Sequence, residues 1–319
     1  MGQKITCFGS STRDVFVQIS PGYFGDNLCF EPGSKVPISD IGFFSGGGAT
    51  NTSTGFSRLG FKASIVSAIG KDRDGRQVKG ELKTENIDTA NLVEEKKRTP
   101  YSVILTGFGK DRVILHYSGA SALLGHRHEI NWGKISSDWL YVSGLHQNDT
   151  RMLQKIFLHA KKIGAKTAWN PSQKELSLGM EKLSSFIEKT GVLILNSSEA
   201  LSLTGKTGIE KNLSLLSRSA KIVAITDGAN GAYACAGGKF FSAKSFNVKV
   251  VDVTGAGDAF GCAFVAGIAE GKTIAQALDA GCANASSVVQ FLGAKNKLLS
   301  EKEIVQFISA HQRLKTSAN

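Results

Sequence analysis

The sequence predicts an α/β protein, a three-layer α-β-α domain around a mostly parallel sheet, with a small β-sheet lid attached. Short apolar runs alternate with helix-like segments over most of the chain, which is typical of parallel sheets covered by helices. Two segments rich in turn residues and strand-like runs interrupt this alternation. The length of 319 residues suits one large α/β domain with such an appendage.

The first apolar run, Ile5 to Phe8, reads as a buried strand that leads into a loop at 9–12, with Asp14 just beyond it. Helix-like patterns follow at 48–59 and 75–84, on either side of a strand-like run at 63–68. These elements form the first part of the alternation.

The lid is predicted from two separated pieces, residues 15–43 and 98–120. Prolines and glycines break the first piece into short apolar segments that favour small strands and turns. In the second piece, two strand-like runs flank Gly109-Lys110-Asp111, the pattern of a hairpin. The α/β domain then comprises the rest of the chain, at 1–14, 44–97 and 121–319.

The second half continues the alternation and contains no internal repeat. Strands are predicted at 139–142, 166–169, 192–195 and 221–225, an antiparallel hairpin at 231–236 and 239–242, and closing helices near 256–270, 273–291 and 301–313.

Composition limits the class of partner. The net charge is +11, but the basic residues are scattered in twos and threes beside acids, which argues against nucleic-acid binding. The five cysteines show no metal or redox spacing and are expected to be buried thiols. With no secretory leader and no apolar stretch of about 18 residues, we expect a cytoplasmic protein that does not enter a membrane.

In open α/β sheets, ligands bind beyond the carboxyl ends of the strands. Small polar or acidic residues follow five of the apolar runs, and they are Asp14, Asn170, Asn196, Thr226 and the segment 252–258.

The strongest of these signals is Asp252-Val253-Thr254-Gly255-Ala256-Gly257-Asp258, which opens a helix of small residues. Bare N–H groups at such a helix start attract an anion, and the helix dipole favours negative charge there. A carboxylate at that position can accept the proton of an attacking hydroxyl. Dipole compensation by Asp258 and plain packing of the glycines explain the same residues without catalysis.

Three further segments are weaker signals taken singly. Asn196 with Glu199 has the spacing of a helix capping box, and the same two oxygen-bearing side chains suit hydrated Mg²⁺. Gly46-Gly47-Gly48 leads to Asn51, which can bond a hydroxylated substrate or serve as a polar cap. Thr226 to Gly231 alone reads as a turn.

Together, and in this order, the four segments resemble the ribokinase-like carbohydrate kinases, the PfkB family, over nearly the whole chain. The first family signature is matched by Gly46, Gly47 and Asn51, and the second by 252–258 except at Val253. The family's Asn-x-x-Glu and Thr-x-Gly-x-x-Gly motifs are matched at Asn196-Glu199 and Thr226-Gly228-Gly231.

The resemblance implies an ATP-dependent kinase in which a lid closes over a sugar. Asp258 would be the catalytic base, and Gly255, Ala256 and Gly257 would supply the anion hole. Asp14, Gly46, Gly47 and Asn51 would bind substrate hydroxyls. Thr226, Gly228, Gly231 and Asn284 would line the nucleotide site, Asn196 and Glu199 would organise Mg²⁺ through water, and Asp252 would help hold a monovalent cation, K⁺.

The acceptor stays open among several classes. Ribokinases usually have Lys where this chain has Gly48, and their sugar-contacting Glu has no clear counterpart at 141–146. A primary hydroxyl of a sugar, as in ribokinase or fructokinase, is the leading expectation, and an adenosine-type nucleoside kinase is the alternative. A sugar-phosphate kinase, using Arg13, Arg98 or Arg112, and a non-catalytic sensor complete the set, and a homodimer through the lid is a further expectation.

Overall fold

A computed structural model describes residues 2–19, 29–107, 112–125, 130–145 and 149–313. These residues build a nine-stranded sheet, two helical layers and a separate four-stranded sheet.

The large sheet is parallel except at one edge, as the sequence predicts. Its strands in spatial order are β13 (Lys239–Ala243), β12 (Ala232–Ala236), β11 (Ile222–Thr226), β10 (Val192–Asn196), β9 (Lys166–Asn170), β8 (Trp139–Ser143), β1 (Lys4–Phe8), β4 (Lys62–Gly70) and β5 (Asp88–Glu95). Only β12 runs antiparallel, to both of its neighbours. Every strand from β11 to β5 therefore ends at the same edge of the sheet.

Helices cover both faces of this sheet and confirm the three-layer architecture. One face carries α1 (Gly48–Arg58), α2 (Arg73–Thr84), α8 (Ala256–Ala269), α9 (Ile274–Val288) and α10 (Glu301–Ala310). The other carries α3 (Arg151–Ile163), α4 (Gln173–Leu176), α5 (Gly179–Ile187), α6 (Ser197–Thr204) and α7 (Ile209–Leu216). Alternation along the strands fills both cores, since β1 sends Ile5 and Cys7 into one and Phe8 into the other.

Helix α8 is apolar on most of its surface because it is packed between α1, α9 and the sheet. Small residues allow the close approach. A Cβ added at Gly281 of α9 would lie 2.6 Å from the ring of Phe260, so glycine is required where the two helices meet. This packing fixes the start of α8, the helix that begins at the glycine-rich segment.

The small sheet has the order β3 (Ile38–Gly46), β2 (Thr12–Ile19), β6 (Tyr101–Thr106) and β7 (Val113–Tyr117). The pair β2–β6 is parallel, and β2–β3 and β6–β7 are antiparallel. The expected hairpin is therefore present as β6 and β7, while its turn at 109–111 lies outside the described residues. So does the segment 20–28 of the expected lid.

Several sequence-based expectations need correction. Strand β2 begins at Thr12, so Asp14 lies inside the small sheet and not in a loop after β1. Strand β5 and the helices α4, α5 and α7 were not predicted. Strand β5 lacks an apolar run because it is an edge strand with most side chains at least partly exposed.

Two further expectations concern the cysteines and the length of the helices. Cys7, Cys235, Cys262 and Cys282 are buried and unpaired, as expected, but Cys29 is exposed. Within the described ranges, no helix combines the length and the apolar character that a bilayer span requires.

Candidate active site

The first turn of α8 is open to an anion. Gly255 is the N-cap, with φ +81° in the left-handed region, and a Cβ there would lie 2.5 Å from the side chain of Ala294. Only glycine meets both conditions. The N–H of Ala256 already donates to the carbonyl of Val253 at 3.2 Å. Among the three residues expected to form the anion hole, Gly257 is the exposed one, and its N–H lies at the positive end of the helix.

Asp258 sits in that first turn with its carboxylate turned toward α1. The Nδ2 of Asn51 donates to Asp258 Oδ2 at 2.8 Å, across the junction of the two helices. Burial raises the pKa of Asp258 to about 6, the Asn51 hydrogen bond acts in the opposite direction, and the charge of Glu199 adds to the rise. The carboxylate is thus ionised at neutral pH yet close enough to neutrality to take up a proton.

Asn51 has a second polar atom that is not used within the protein. Its side chain is only 4% exposed, and Oδ1 has no hydrogen-bond partner in the described structure. A buried amide oxygen without a partner costs free energy unless a ligand or water fills the site. Asn51 therefore orients Asp258 with one end and offers an acceptor with the other.

The three glycines at 46–48, where β3 leads into α1, are each required by a close approach. A Cβ at Gly46 would lie 1.8 Å from Asp14 Oδ2, and one at Gly48 would lie 2.5 Å from Ser143 Oγ. Gly47, at φ +89°, lies against the carbonyl of Ser10. The segment thus fits between Asp14 on one side and the end of β8 on the other.

Asp14 lies on what we call the inner face of the small sheet, together with the residues directly opposite it on the neighbouring strands. These are Phe44, Ser102 and His116. Thr12 donates a hydrogen bond to Asp14 Oδ1 at 2.8 Å. Burial raises the pKa of Asp14, while Thr12, Ser102 and the His116 charge oppose that rise.

Sequence reasoning missed Ser102, His116 and Ser143 as members of this region. Ser102 and His116 lie in strands about 90 to 100 residues away from Asp14, and only the register of three strands brings them together. Ser143 ends β8, where its hydroxyl donates to the carbonyl of Phe8 at 2.9 Å. Its place at the carboxyl end of a parallel strand was the one available signal.

Asn196 and Glu199 form the capping box that their spacing indicated. Asn196 Oδ1 accepts from the Glu199 N–H at 2.8 Å, and Glu199 Oε2 accepts from the Asn196 N–H at 2.8 Å. Burial raises the pKa of Glu199. The negative charge of Glu199 in turn raises the pKa of Asp258. No group of three or more His, Cys, Asp or Glu side chains suited to a metal occurs in the described ranges.

A cavity of about 310 Å³ begins at the first turn of α8. Thr226, Gly228 and Gly231 line it together with Ala256 and Gly257, so the motif after β11 and the motif before α8 share one space. This arrangement brings two sequence-predicted segments together.

Asn284 does not line this cavity, contrary to the sequence-based expectation. It is fully buried, its Nδ2 donates to the carbonyl of Ala259 at 2.8 Å, and its Oδ1 accepts from the Leu299 N–H at 2.8 Å. The neighbouring Ala285 and Ser286 face the cavity instead. Asn284 therefore joins α8 to the chain before α10.

Asp252 holds the loop that leads into α8. Its Oδ1 accepts from the N–H and hydroxyl of Thr254 at 3.0 and 2.8 Å, and its Oδ2 accepts from the N–H of Gly293 at 3.4 Å. Both oxygens thus have protein donors, which makes Asp252 a brace between the glycine-rich segment and the loop after α9.

A family model described as pfkB family carbohydrate kinase matches residues 3–301. The ribokinase of Haemophilus influenzae is 27% identical over 319 residues, covering 97% of this chain and 99% of that protein. The nucleoside kinase of Methanocaldococcus jannaschii is 25% identical, with 97% and 98% covered.

The solved structures show the same fold. The structure of Arabidopsis thaliana ribokinase complexed with ribose and ATP superposes with a TM-score of 0.83 at 18% identity, covering 97% of this chain and 99% of that one. At that identity the likeness concerns the fold alone.

Proposed function

The chain belongs to the pfkB family of carbohydrate kinases, and we propose that it transfers the γ-phosphoryl group of ATP to a primary hydroxyl of a sugar, with Asp258 as the base. The observation that carries this proposal is the Asp258 carboxylate, held by Asn51 at the open start of α8 beside the cavity. A base, an anion-binding helix start and a nucleotide-sized space meet there.

In this reaction the substrate hydroxyl loses its proton to Asp258 while its oxygen bonds to the γ-phosphorus. The bond from that phosphorus to the β-phosphate oxygen breaks, and ADP leaves. Because Asn51 occupies Oδ2 of the carboxylate, Oδ1 is the atom left for the substrate proton. The N–H groups of the first turn stabilise the negative charge on the transferring group.

Mg²⁺ is assigned to the side of Asn196 and Glu199. Glu199 is half-buried with a raised pKa, so a cation there would stabilise its charged form. Mg²⁺ keeps several waters and binds through one or two protein groups together with substrate phosphates, so these two side chains suit it. When bound, the ion supplies charge neutralisation at the phosphates.

A monovalent cation near Asp252 receives weaker support. Both carboxylate oxygens already accept hydrogen bonds, so K⁺ would have to share them with Thr254 and Gly293. We keep Asp252 as the residue through which such an ion would act on the anion hole.

The acceptor hydroxyls are assigned to Asp14 and Asn51. Asn51 Oδ1 is a buried acceptor without a partner, suited to a second hydroxyl of the same sugar. Asp14 is 7% exposed and faces that space across Gly46. A polyol with hydroxyls at both ends fits this pair of acceptors.

A nucleoside is the second candidate acceptor, because two phenylalanine rings lie on the inner face of the small sheet. Phe44 is opposite Asp14 and contacts Phe16 edge to face, with ring centroids 5.4 Å apart. An aromatic ring there could hold a base. Phe43 and Tyr117 lie on the opposite face.

A phosphorylated sugar receives less support. Arg13 is turned away from Asp14, toward Asp74 and Glu81 of α2 at 3.8 and 3.9 Å. Arg98 lines a separate surface cavity with Tyr101 and Tyr117. These contacts leave Arg112 as the remaining candidate phosphate ligand.

The test is ADP release with ATP and Mg²⁺ across a panel of sugars, sugar phosphates and nucleosides, with Asp258→Asn as the control. A neutral sugar with the highest kcat/KM supports the leading assignment. A nucleoside with the highest value replaces it by the alternative. If no acceptor raises ADP release above that of Asp258→Asn, the kinase assignment to this site fails.

We also propose that the small sheet closes on the substrate. Asp14, Ser102 and His116 all lie on its inner face, so the substrate would bridge this sheet and α8. Amide hydrogen exchange in β6 and β7 should slow when the best acceptor is added. Unchanged exchange at saturating acceptor would contradict closure.

A homodimer is assigned to the outer face of the small sheet, the face opposite Asp14. Five of its apolar side chains are strongly exposed, and they are Ile41, Phe43, Val113, Leu115 and Tyr117. A second copy is the expected cover, because one such patch can pack on itself about a two-fold axis. Leu115→Lys should convert the dimer to a monomer in analytical ultracentrifugation, and a wild-type monomer at micromolar concentration would contradict the assignment.

A further inference from the structure

The cavity at the start of α8 continues away from the phosphate end toward α9. Beyond Gly257 its wall is formed by apolar side chains from several elements, and they are Phe246, Val248, Val250, Val253, Phe260, Cys282, Ala285 and Val289. If the γ-phosphate lies at Gly257, the nucleoside base occupies this apolar part. None of the described residues that line the cavity is charged or carries an amide or imidazole side chain.

The apolar wall is rigid at Phe246. This ring is 2% exposed, with the guanidinium of Arg313 above it at 3.9 Å from the ring centroid. Phe307 contacts it edge to face, at a centroid distance of 5.3 Å. Arg313 is held in turn by Asp279 and by the carbonyl of Lys244. A fixed apolar surface of this kind packs against any purine ring.

The polar groups of the base end are two serine hydroxyls. Ser245 Oγ and Ser286 Oγ are 3.4 Å apart, and either can be the donor. Ser286 is 3% exposed, so its hydroxyl faces the cavity without much competing solvent. The third hydroxyl of the lining, Thr226, lies at the end of β11 beside Gly228, toward the phosphates.

A hydroxyl can rotate to donate or to accept, unlike a carboxylate or an arginine. Adenine presents an amino donor at the position where guanine presents a carbonyl acceptor. A pair of linked hydroxyls can meet either pattern by exchanging donor and acceptor roles. Strong rejection of an analogue requires a fixed buried group that it leaves unpaired, and apolar walls alone discriminate weakly.

We propose that this site accepts ATP and GTP about equally as phosphoryl donors, because the Ser245–Ser286 hydroxyl pair and the apolar wall present no fixed side-chain donor or acceptor to the purine edge. The inference rests on the proposed function, since it takes this cavity as the nucleotide site. The inference extends the proposed function by specifying which nucleotides donate the phosphoryl group.

Two measurements test it on the full-length protein. Calorimetry with the β,γ-imido analogues of ATP and GTP reports binding without turnover, and kcat/KM for the two nucleotides reports their use with the best acceptor. We expect the two ratios to lie within about tenfold of unity. A preference beyond tenfold in either ratio overturns the inference and leaves the kinase assignment standing. Binding of neither analogue overturns the kinase assignment itself.

Variants of the hydroxyl pair give a second test. In Ser245→Ala/Ser286→Ala the affinities for both analogues should fall together, by about tenfold or less, with their ratio unchanged, because the lost bonds are equivalent for the two bases. Ser214→Ala, at an exposed position of α7 outside this cavity, is the matched control and should change neither. If the ratio moves by more than tenfold in the double variant, the hydroxyls discriminate between the bases and the inference is wrong.

Discussion

The first turn of α8 and the inner face of the small sheet each hold a carboxylate with a raised pKa, Asp258 and Asp14, but they are built differently. The motif that carries Asp258 is a run of consecutive residues at the start of α8, and its hydrogen-bond partner Asn51 comes from α1. The surroundings of Asp14 come from four strands that are distant in the chain. A short sequence motif therefore predicts the first region, to which we assign the reaction. Strand register forms the second region, to which we assign the selection of the acceptor.

The largest expected effect lies in the first region. Asp258→Asn should lower kcat by about a thousandfold or more, because the amide cannot take up the substrate proton. The KM values for ATP and sugar should change little, since the residue keeps its shape. Steady-state kinetics with both substrates varied will check this. Asp88→Asn, an exposed position on β5, is the control, and wild-type turnover in Asp258→Asn would refute the base assignment.

The same substitution should stabilise the fold at neutral pH. Since burial raises the folded-state pKa of Asp258 from 3.8 to about 6, its ionisation disfavours folding above pH 6, and the penalty disappears as pH falls below the unfolded value. We expect Asp258→Asn to raise the free energy of unfolding by about 2 kcal/mol at pH 8. Urea unfolding at pH 8 and pH 5 will check this. A gain that is larger at pH 5 would contradict it.

The matching change in the second region is Gly46→Ala. Its Cβ would overlap Asp14 Oδ2, at 1.8 Å, so the carboxylate must move. We expect KM for the sugar to rise by about a hundredfold, with KM for ATP changed much less. Gly80→Ala is the control, because a Cβ at Gly80 in α2 meets nothing within 4 Å. Equal increases in the KM for the sugar and the KM for ATP would contradict the assignment of acceptor binding to the second region.

These two regions also show how far the sequence alone can lead. The alternation of strands and helices, the helix starts at Gly48 and Ala256, and the Asn196–Glu199 cap were all predicted, because each depends on neighbours in sequence. Asn284 was misassigned, since its partners Ala259 and Leu299 are known only from packing. Ser102 and His116 were missed because no motif near them in the sequence indicates that their strands pair beside Asp14.

The pH dependence connects the two regions through Asn51. Because Asp258 must be ionised to act as a base, kcat/KM should fall about tenfold per unit as pH drops below 6. In Asn51→Ala the hydrogen bond that favours the ionised form is lost, so the midpoint should move to higher pH. A pH–rate profile of both proteins will check this. An unchanged or lowered midpoint would mean that Asn51 acts on the substrate alone.

The smallest expected effect lies where the two regions meet, at Gly48 and Ser143. A Cβ at residue 48 would lie 2.5 Å from Ser143 Oγ and 2.6 Å from its Cβ, but 3.7 Å from Asp258 Oδ1. Gly48→Ala should therefore lower the free energy of unfolding by about 1–3 kcal/mol through overpacking, and disturb the base only indirectly.

Removing the Ser143 side chain should relieve that strain. In Ser143→Gly/Gly48→Ala the added methyl group has space, so the cost of Gly48→Ala should fall below about 1 kcal/mol, a coupling that a double-mutant cycle measures. Urea unfolding of the four proteins supplies the cycle, and sugar kcat/KM should recover in parallel. Additive effects would show that the residue at 48 is constrained by something other than Ser143. Coupled effects would mean that the side chains at 48 and 143 are chosen together, so that a larger residue at 48 requires a smaller one at the end of β8.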